Sequence, residues 1–244
     1  MAGEKWHRLV GGKAITHPQV PEVWDASFLA RVNPSADATR LLIQGRRHLA
    51  TQGCRHVRIL LDDPRTFGTV GADLSGLGMI RRVYATLCTN SVPTAKQGHG
   101  RIKFEPVASE HGRGIMAKLR EEVRSQASWF ASEVNEALDT WENIQEATLD
   151  LTWLIAYLDG VPASAAGLLL TPCGASLQSL ATAPALRRRG VASALVREVV
   201  ARGLEAGAPY VSLLTDSEDR PKGLYKKLGF QQVGEVHEYI QILA

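Results

Sequence analysis

Cysteine is scarce in this chain of 244 residues: Cys54, Cys88 and Cys173 are the whole supply. An odd, scattered set without a Cys-x-x-Cys pair excludes a disulfide framework. The seven histidines are equally dispersed, so no metal is expected. The three cysteines read as reduced, mostly buried thiols of a reducing compartment, which predicts a cytoplasmic protein. No apolar run approaches the roughly 18 residues that cross a bilayer, so no membrane partner is expected. The opening residues, Met1 to Arg8, hold no signal-peptide core. Aromatics are few, at 6%, and form no stacking stripe, while net charge is only +3, so nucleic acid is not an expected partner. What remains, 45% hydrophobic and 22% charged, is ordinary for a globular chain of one large domain or two modest ones.

Residues 89–100 are polar and rich in Gly and Pro, and they read as a linker. Residues 101–108 alternate like a strand. Residues 111–144 carry apolar side chains at helical spacing (Met116, Leu119, Val123, Phe130, Val134, Ala137, Trp141), as one long helix or two consecutive ones. Residues 151–158 and 163–171 read as strands joined by the hairpin signal Asp159-Gly160. A third strand, 176–182, follows the turn Pro172-Cys173-Gly174. Helix 191–205, strand 210–215, helix 221–228 and strand 231–242 complete the order.

Between the strand at 176–182 and the helix at 191 stands Pro184-Ala185-Leu186-Arg187-Arg188-Arg189-Gly190-Val191-Ala192. Three cations and a glycine at a strand-to-helix turn suit an anion. Backbone N–H groups at a helix start point outward without intrahelical acceptors, and the helix dipole adds partial positive charge. Gly190 lets the main chain come close to a ligand. Phosphate or pyrophosphate is the natural guest. Downstream lies Gly223-Leu224-Tyr225-Lys226-Lys227-Leu228-Gly229-Phe230.

With these two motifs in this order, residues 101–244 resemble the GCN5-related N-acetyltransferase family. Arg187-x-x-Gly190-x-Ala192 fits the family's pyrophosphate loop, and Leu224 through Phe230 fit its Leu-Tyr-x-x-x-Gly-Phe motif. The resemblance implies an α/β fold with a mixed sheet and splayed central strands. It implies acetyl-CoA as co-substrate, its pyrophosphate on Arg187, Arg188, Arg189, Gly190, Val191, Ala192 and Ser193. Its pantetheine would run along Leu180, Ala181 and Thr182 like an added strand. A neutral amine would attack the thioester directly, with the amide of Leu180 or Ala181 holding the oxyanion. Tyr225 takes the family's general-acid position; a phenol ionises near pH ~10 and so carries its proton at neutrality. Glu142, Glu146 and Asp150 stand near the acceptor side, each read as a solvated surface acid, and no base is assigned. The expected function is N-acetylation of a small primary amine. A protein acetyltransferase acting on a peptide acceptor and a non-catalytic acyl-CoA-binding regulator are the alternatives. Two positions depart from the family pattern: Glu218 replaces a common Asn and Pro221 a common Ala.

The first part of the chain echoes the second. Gly53 to Asp62 parallels Gly207 to Asp216, each a helix-ending glycine followed by an apolar strand that ends in Asp. Leu77-Gly78-Met79 echoes Leu228-Gly229-Phe230. About four residues are missing where the second half has Arg187 to Gly190. Residues 1–88 therefore read as a degenerate, partial copy without a phosphate loop, 89–100 as the linker and 101–244 as the catalytic domain, as in tandem acetyltransferases. A last strand usual in the family is not seen after 231–242; the first half, or a second subunit in a homodimer, is expected to supply it.

Overall fold

The computed structural model describes residues 5–94, 101–126, 132–217 and 221–243. Its first half runs β1 (Lys5–Leu9), β2 (Gly12–Thr16), β3 (Phe28–Ala30), α1 (Ala38–Thr51), β4 (His56–Leu61), α2 (Pro64–Phe67), α3 (Val70–Gly76) and β5 (Ile80–Thr89). The second half runs β6 (Ile102–Pro106), α4 (Glu110–Arg124), α5 (Ser132–Thr148), β7 (Asp150–Leu158), β8 (Val161–Thr171), β9 (Gly174–Thr182), α6 (Val191–Glu205), β10 (Val211–Asp216), α7 (Pro221–Lys227) and β11 (Gln231–Ile242). The β7–β8 turn is made by Asp159 and Gly160, with φ of 53° and 81°, the left-handed pair that a two-residue hairpin of matching twist requires. Residues 111–144 resolve into the two-helix alternative. Ser109 starts α4 by accepting the Gly112 N–H at 3.1 Å. Phe130, Glu218 and part of the expected linker lie outside the described residues.

Among the described residues the eleven strands form one mixed sheet, in the order β1-β2-β3-β4-β11-β5-β10-β9-β8-β7-β6. The order shows an exchange. β5 belongs to the first half in sequence, yet it lies between β11 and β10, antiparallel to both. β11 belongs to the second half, yet it lies between β4 and β5. The strand expected to come from the first half or a second subunit is thus supplied beside β10 by β5 of the same chain. The β5–β11 pair relates the two halves: Ala85 faces Glu235 and Tyr84 faces Val236. Leu77-Gly78-Met79 enters one strand of this pair, and Leu228-Gly229-Phe230 enters the other.

Each half therefore completes the other's core. Ala85 and Leu87 of β5 are fully buried with Leu195, Val199, Leu213, Leu228 and Phe230. Tyr239 of β11 is buried with Leu41, Leu49, Ile59 and Leu74 of the first half. Gly71 makes room for it; a Cβ there would stand 2.5 Å from the Tyr239 hydroxyl. A charged cluster spans the same junction. Glu238 on β11 accepts from Arg58 on β4 and from the Tyr84 hydroxyl on β5 at 3.2 Å, while Arg58 also reaches Asp25 at 2.6 Å. Burial pushes the Tyr84 phenol above its ordinary pKa, and the Glu238 charge adds to that. A further apolar group joins the halves on another side, where Val20, Val23 and Ala26 pack against Ala137 and Trp141 of α5.

The cysteines are less buried than expected: Cys54 is buried, Cys88 is intermediate and Cys173 is exposed. Cys173 sits in the β8–β9 turn, where the chain reverses at the surface and no core is available to cover it.

Separating the halves opens the sheet between β10 and β11 and leaves both with unpaired backbone groups. Residues 101–244 expressed alone are expected to aggregate. Co-expression with residues 1–100 should restore a monodisperse species, measured by size-exclusion chromatography with light scattering.

Candidate active site

The site begins where two neighbouring strands part. β9 and β10 run parallel and pair only at Ala175–Val211 and Ser176–Ser212. Beyond these pairs β9 continues to Thr182 and β10 to Asp216 without further pairing. A bulge in β9 accompanies the split. The β8–β9 register slips between the pairs Gly167–Gln178 and Ala165–Ala181, and Ser179 takes a left-handed φ of 47°. A bulge bends its strand and sharpens the local twist. Leu180, Ala181 and Thr182 then have β8 on one side and no strand on the side toward β10. Ser164, fully buried on β8, fixes this strand end: its hydroxyl donates to the Ala181 carbonyl at 2.6 Å and bonds the Thr182 hydroxyl at 2.9 Å.

The chain then tightens into a turn. Ala183 N–H donates to the Ala163 carbonyl at 2.9 Å, and residues Pro184–Leu186 form one turn of 3-10 helix. The Arg187 guanidinium reaches back to the Thr182 carbonyl at 3.3 Å. Arg188 and Gly190 are both left-handed, with φ of 62° and 81°. A non-glycine residue is uncommon in that region, so the turn stores strain at Arg188. The first intrahelical bond of α6 runs from Ala194 N–H to the Gly190 carbonyl. The N–H groups of Val191, Ala192 and Ser193 precede that ladder, and no side chain caps them. The first half differs at the corresponding helix. There the Asp37 carboxylate caps α1 by accepting the Arg40 N–H at 2.9 Å. A carboxylate built into the protein occupies the place where an outside anion would sit.

These elements enclose a cleft of about 510 Å³. Leu180, Ala181 and Thr182 form one wall, and Arg187, Arg188, Gly190, Val191, Ala192 and Ser193 form its end. Tyr225 and Leu224 of α7 close it opposite. The Tyr225 ring is 6% exposed and meets Phe230 edge-on at 5.8 Å. Of the residues expected at the cofactor, Arg189 alone does not line this cleft; it is exposed at the outside of the turn. Three residues that sequence reasoning passed over belong here. Val123 of α4 and Leu186 line the cleft, and Ser164 sets its wall. Ser164 carried a signal, a lone hydroxyl in the apolar run Ala163 to Leu170.

The carboxylates considered for a base divide. Glu142 is not a solvated surface acid. It lies buried between α4 and α5, paired with Arg120 and, at 2.7 Å, with Arg124. Burial raises its carboxyl above the usual range against the pull of both guanidinium groups, and burial likewise lowers Arg120. Arg120 also lies over the Trp153 ring at 3.9 Å. Helix packing turned Glu142 inward because its apolar neighbours, Leu138 and Trp141, meet Val20, Val23 and Ala26 of the first half. Glu146 is half-buried and pairs with Arg113 at 3.5 Å, and Asp150 is exposed at the start of β7. Among the described residues no group of His, Cys, Asp and Glu could hold a metal ion. No helix among them is long and apolar enough to cross a membrane.

This architecture has relatives. A family profile described as the acetyltransferase (GNAT) family matches residues 116–230. Among solved structures, a functionally unknown conserved protein from Staphylococcus epidermidis superposes with a TM-score of 0.80 at 13% identity, over 100% of this chain and 95% of that one. A GCN5-related N-acetyltransferase from Kribbella flavida gives 0.71 at 16% identity, over 97% and 89%. A tandem GNAT protein from the clavulanic acid biosynthesis pathway gives 0.61 at 12% identity, over 95% and 78%. No curated protein matches the sequence. The three structures share the fold of the whole chain, first half included, and the profile covers the splayed strands, the Arg-rich turn and the Tyr225 motif. Residues 116–230 are an acetyltransferase (GNAT) family domain by this match, and the solved structures show that the fold of the whole chain is that of GCN5-related N-acetyltransferases.

Proposed function

We propose that this protein transfers the acetyl group of acetyl-CoA to the primary amine of a small molecule, with Tyr225 as the general acid. One observation carries the reading: a single cleft joins the uncapped start of α6, the unpaired side of β9 and the Tyr225 ring. The amides of Val191 to Ser193 meet the pyrophosphate, where three aligned donors and the helix dipole act together. Arg187 and Arg188 add charge-assisted contacts. Pantetheine follows Leu180 to Thr182 and takes main-chain hydrogen bonds from the side that β10 leaves open. This path brings the thioester toward Tyr225.

At the split, the amine nitrogen attacks the carbonyl carbon. The C–N bond forms, negative charge collects on the carbonyl oxygen, and the amide of Leu180 or Ala181 stabilises it. Collapse breaks the C–S bond. The departing thiolate takes the Tyr225 hydroxyl proton, and the attacking nitrogen releases its own proton to water. Holding both reactants in one cleft removes the entropic cost of their encounter.

Residues 1–88 act in this reading as a degenerate copy with a structural task, and 101–244 as the catalytic unit. The first half supplies β5, the neighbour of β10. It also holds α5 through Val20, Val23 and Ala26, and so forms a wall on the acceptor side.

Calorimetric titration should show saturable binding of acetyl-CoA and CoA; no heat with either sinks the reading. A thiol-release assay across amines, amino acids and peptides then identifies the acceptor, and turnover confined to peptides would replace the small-molecule class. Tyr225→Phe should lower kcat roughly 100-fold, in the range of general-acid effects. Its acetyl-CoA Kd should stay within about twofold, and equal turnover would remove the role. Gly190→Ala places a Cβ on a left-handed residue and should cost about 1–2 kcal/mol. Thermal unfolding should show it as a fall of about 2–8 °C in Tm.

A further inference from the structure

A larger cleft lies in the first half, at the outer edge of the sheet. It encloses about 810 Å³, more than the cleft at α6, and runs between β1 and the last turns of α1. Its polar side chains are His7, Arg8, Gln44, Arg47, His48 and Thr51, and no carboxylate lines it. Such a volume falls within the usual range of small-molecule sites, about 300–1,000 Å³. Three observations point to an anionic guest. Arg8 and Arg47 both line the cleft, and no salt bridge among the described residues takes either guanidinium. His7 and His48 stack with ring centroids 4.3 Å apart and planes 10° from parallel, which puts two imidazoles side by side in the cleft. The Nε2 atom of His48 is buried without a hydrogen-bond partner. An unsatisfied buried ring nitrogen costs free energy unless something meets it.

We propose that this cleft binds a small phosphate-bearing molecule, held by the guanidinium groups of Arg8 and Arg47 and by the exposed imidazole of His7, against which His48 stacks. Two guanidinium forks and an imidazole offer more donors than the two oxygens of a carboxylate employ, and a phosphate monoester presents three strong acceptor oxygens. The Gln44 side-chain carbonyl accepts the Val10 N–H at 3.0 Å and ties the exposed strand to the helix, so the two walls are held together before any ligand arrives. The cleft opens on the carboxyl-terminal turn of α1, whose dipole opposes an anion, so recognition rests on the side chains rather than the helix. None of these residues belongs to the cleft at α6, and the proposal stands apart from the acetyl-transfer reading.

The test follows the histidine ring resonances by NMR in histidine-labelled full-length protein, with His7→Gln and His48→Gln assigning the signals. This readout reports the first-half cleft even though phosphate also visits the α6 loop. Titration with inorganic phosphate and with phenyl phosphate should shift both ring signals saturably. The double variant Arg8→Ala/Arg47→Ala should raise the Kd at least tenfold; its fold is checked by its own spectrum, and Arg47→Gln serves if the double variant fails to fold. No saturable shift in the wild type, an unchanged Kd in the folded variant, an equal response to citrate, or a response to duplex DNA without one to the small phosphates would each overturn the proposal.

Discussion

One strand pair holds the molecule together: β5 against β11, each borrowed from the other half. Neither half is a closed unit without it. If β5 is removed, β10 loses a neighbour along its whole length and the core around Leu195 and Val199 loses Ala85 and Leu87. If β11 is removed, β4 loses its antiparallel partner and the first half loses Tyr239. Nine paired positions and two cores thus depend on one antiparallel register. That register is fixed by side-chain alternation, because a slip of one residue would turn Ala85 and Leu87 out of one core and Tyr239 out of the other. The Arg58–Glu238–Tyr84 cluster reinforces the choice, since a slipped β11 would bury Glu238 without partners.

Under the proposed reading of residues 1–88 as a degenerate copy, the exchange also explains how a half without a phosphate loop is kept. The first half contributes through a strand and a helix-holding surface, and neither needs a ligand. Asp37 marks the loss in chemical terms. A carboxylate that caps α1 satisfies an amide that a diphosphate would otherwise meet, and its negative charge repels that diphosphate. α6 keeps its amides open behind Gly190, a residue whose left-handed φ of 81° turns the chain into the helix without a capping side chain. The same structural position is a closed helix start in one half and an open one in the other.

Much of this was legible in the residues. The Arg187-x-x-Gly190-x-Ala192 turn is local, its demands on backbone and charge are met by consecutive residues, and the structure places them at one cleft with Leu180 to Thr182 and Tyr225. The strands that lead to Asp62 and Asp216 were legible too, because both keep the apolar pattern of buried strands. The exchange itself was only half visible. The sequence lacks a last strand after residues 231–242, but β5 has the pattern any two-sided strand has, and nothing local says which half it joins. The β1–β2 hairpin escaped because β1 is exposed along four of its five residues and shows little alternation of apolar and polar. Glu142 was misjudged because a charged residue on a helix normally faces water. Its burial follows from a contact of α5 with residues more than 100 positions earlier, which no window along the chain can contain.

That buried pair has a consequence for the site. Burial opposes the charged form of both Glu142 and Arg120, raising the carboxyl and lowering the guanidinium. Removing Glu142 leaves the Arg120 charge unpaired over Trp153 and is the damaging change, whereas Glu142 without Arg120 keeps Arg124. What the pair contributes is placement. Arg120 lies one turn from Val123, which lines the cofactor cleft, and it joins α4 to α5 at a fixed offset while its guanidinium rests on Trp153. Trp153 in turn lies against Gly167, where a Cβ would stand 2.7 Å from the ring, and Gly167 is the β8 residue paired with Gln178 just before the bulge. A continuous line of contacts thus runs from the α4–α5 pair, through an aromatic ring and a glycine that admits it, to the place where β9 turns away from β10. The first half fixes α5, α5 fixes the charge pair, and the charge pair fixes the ring beside the split.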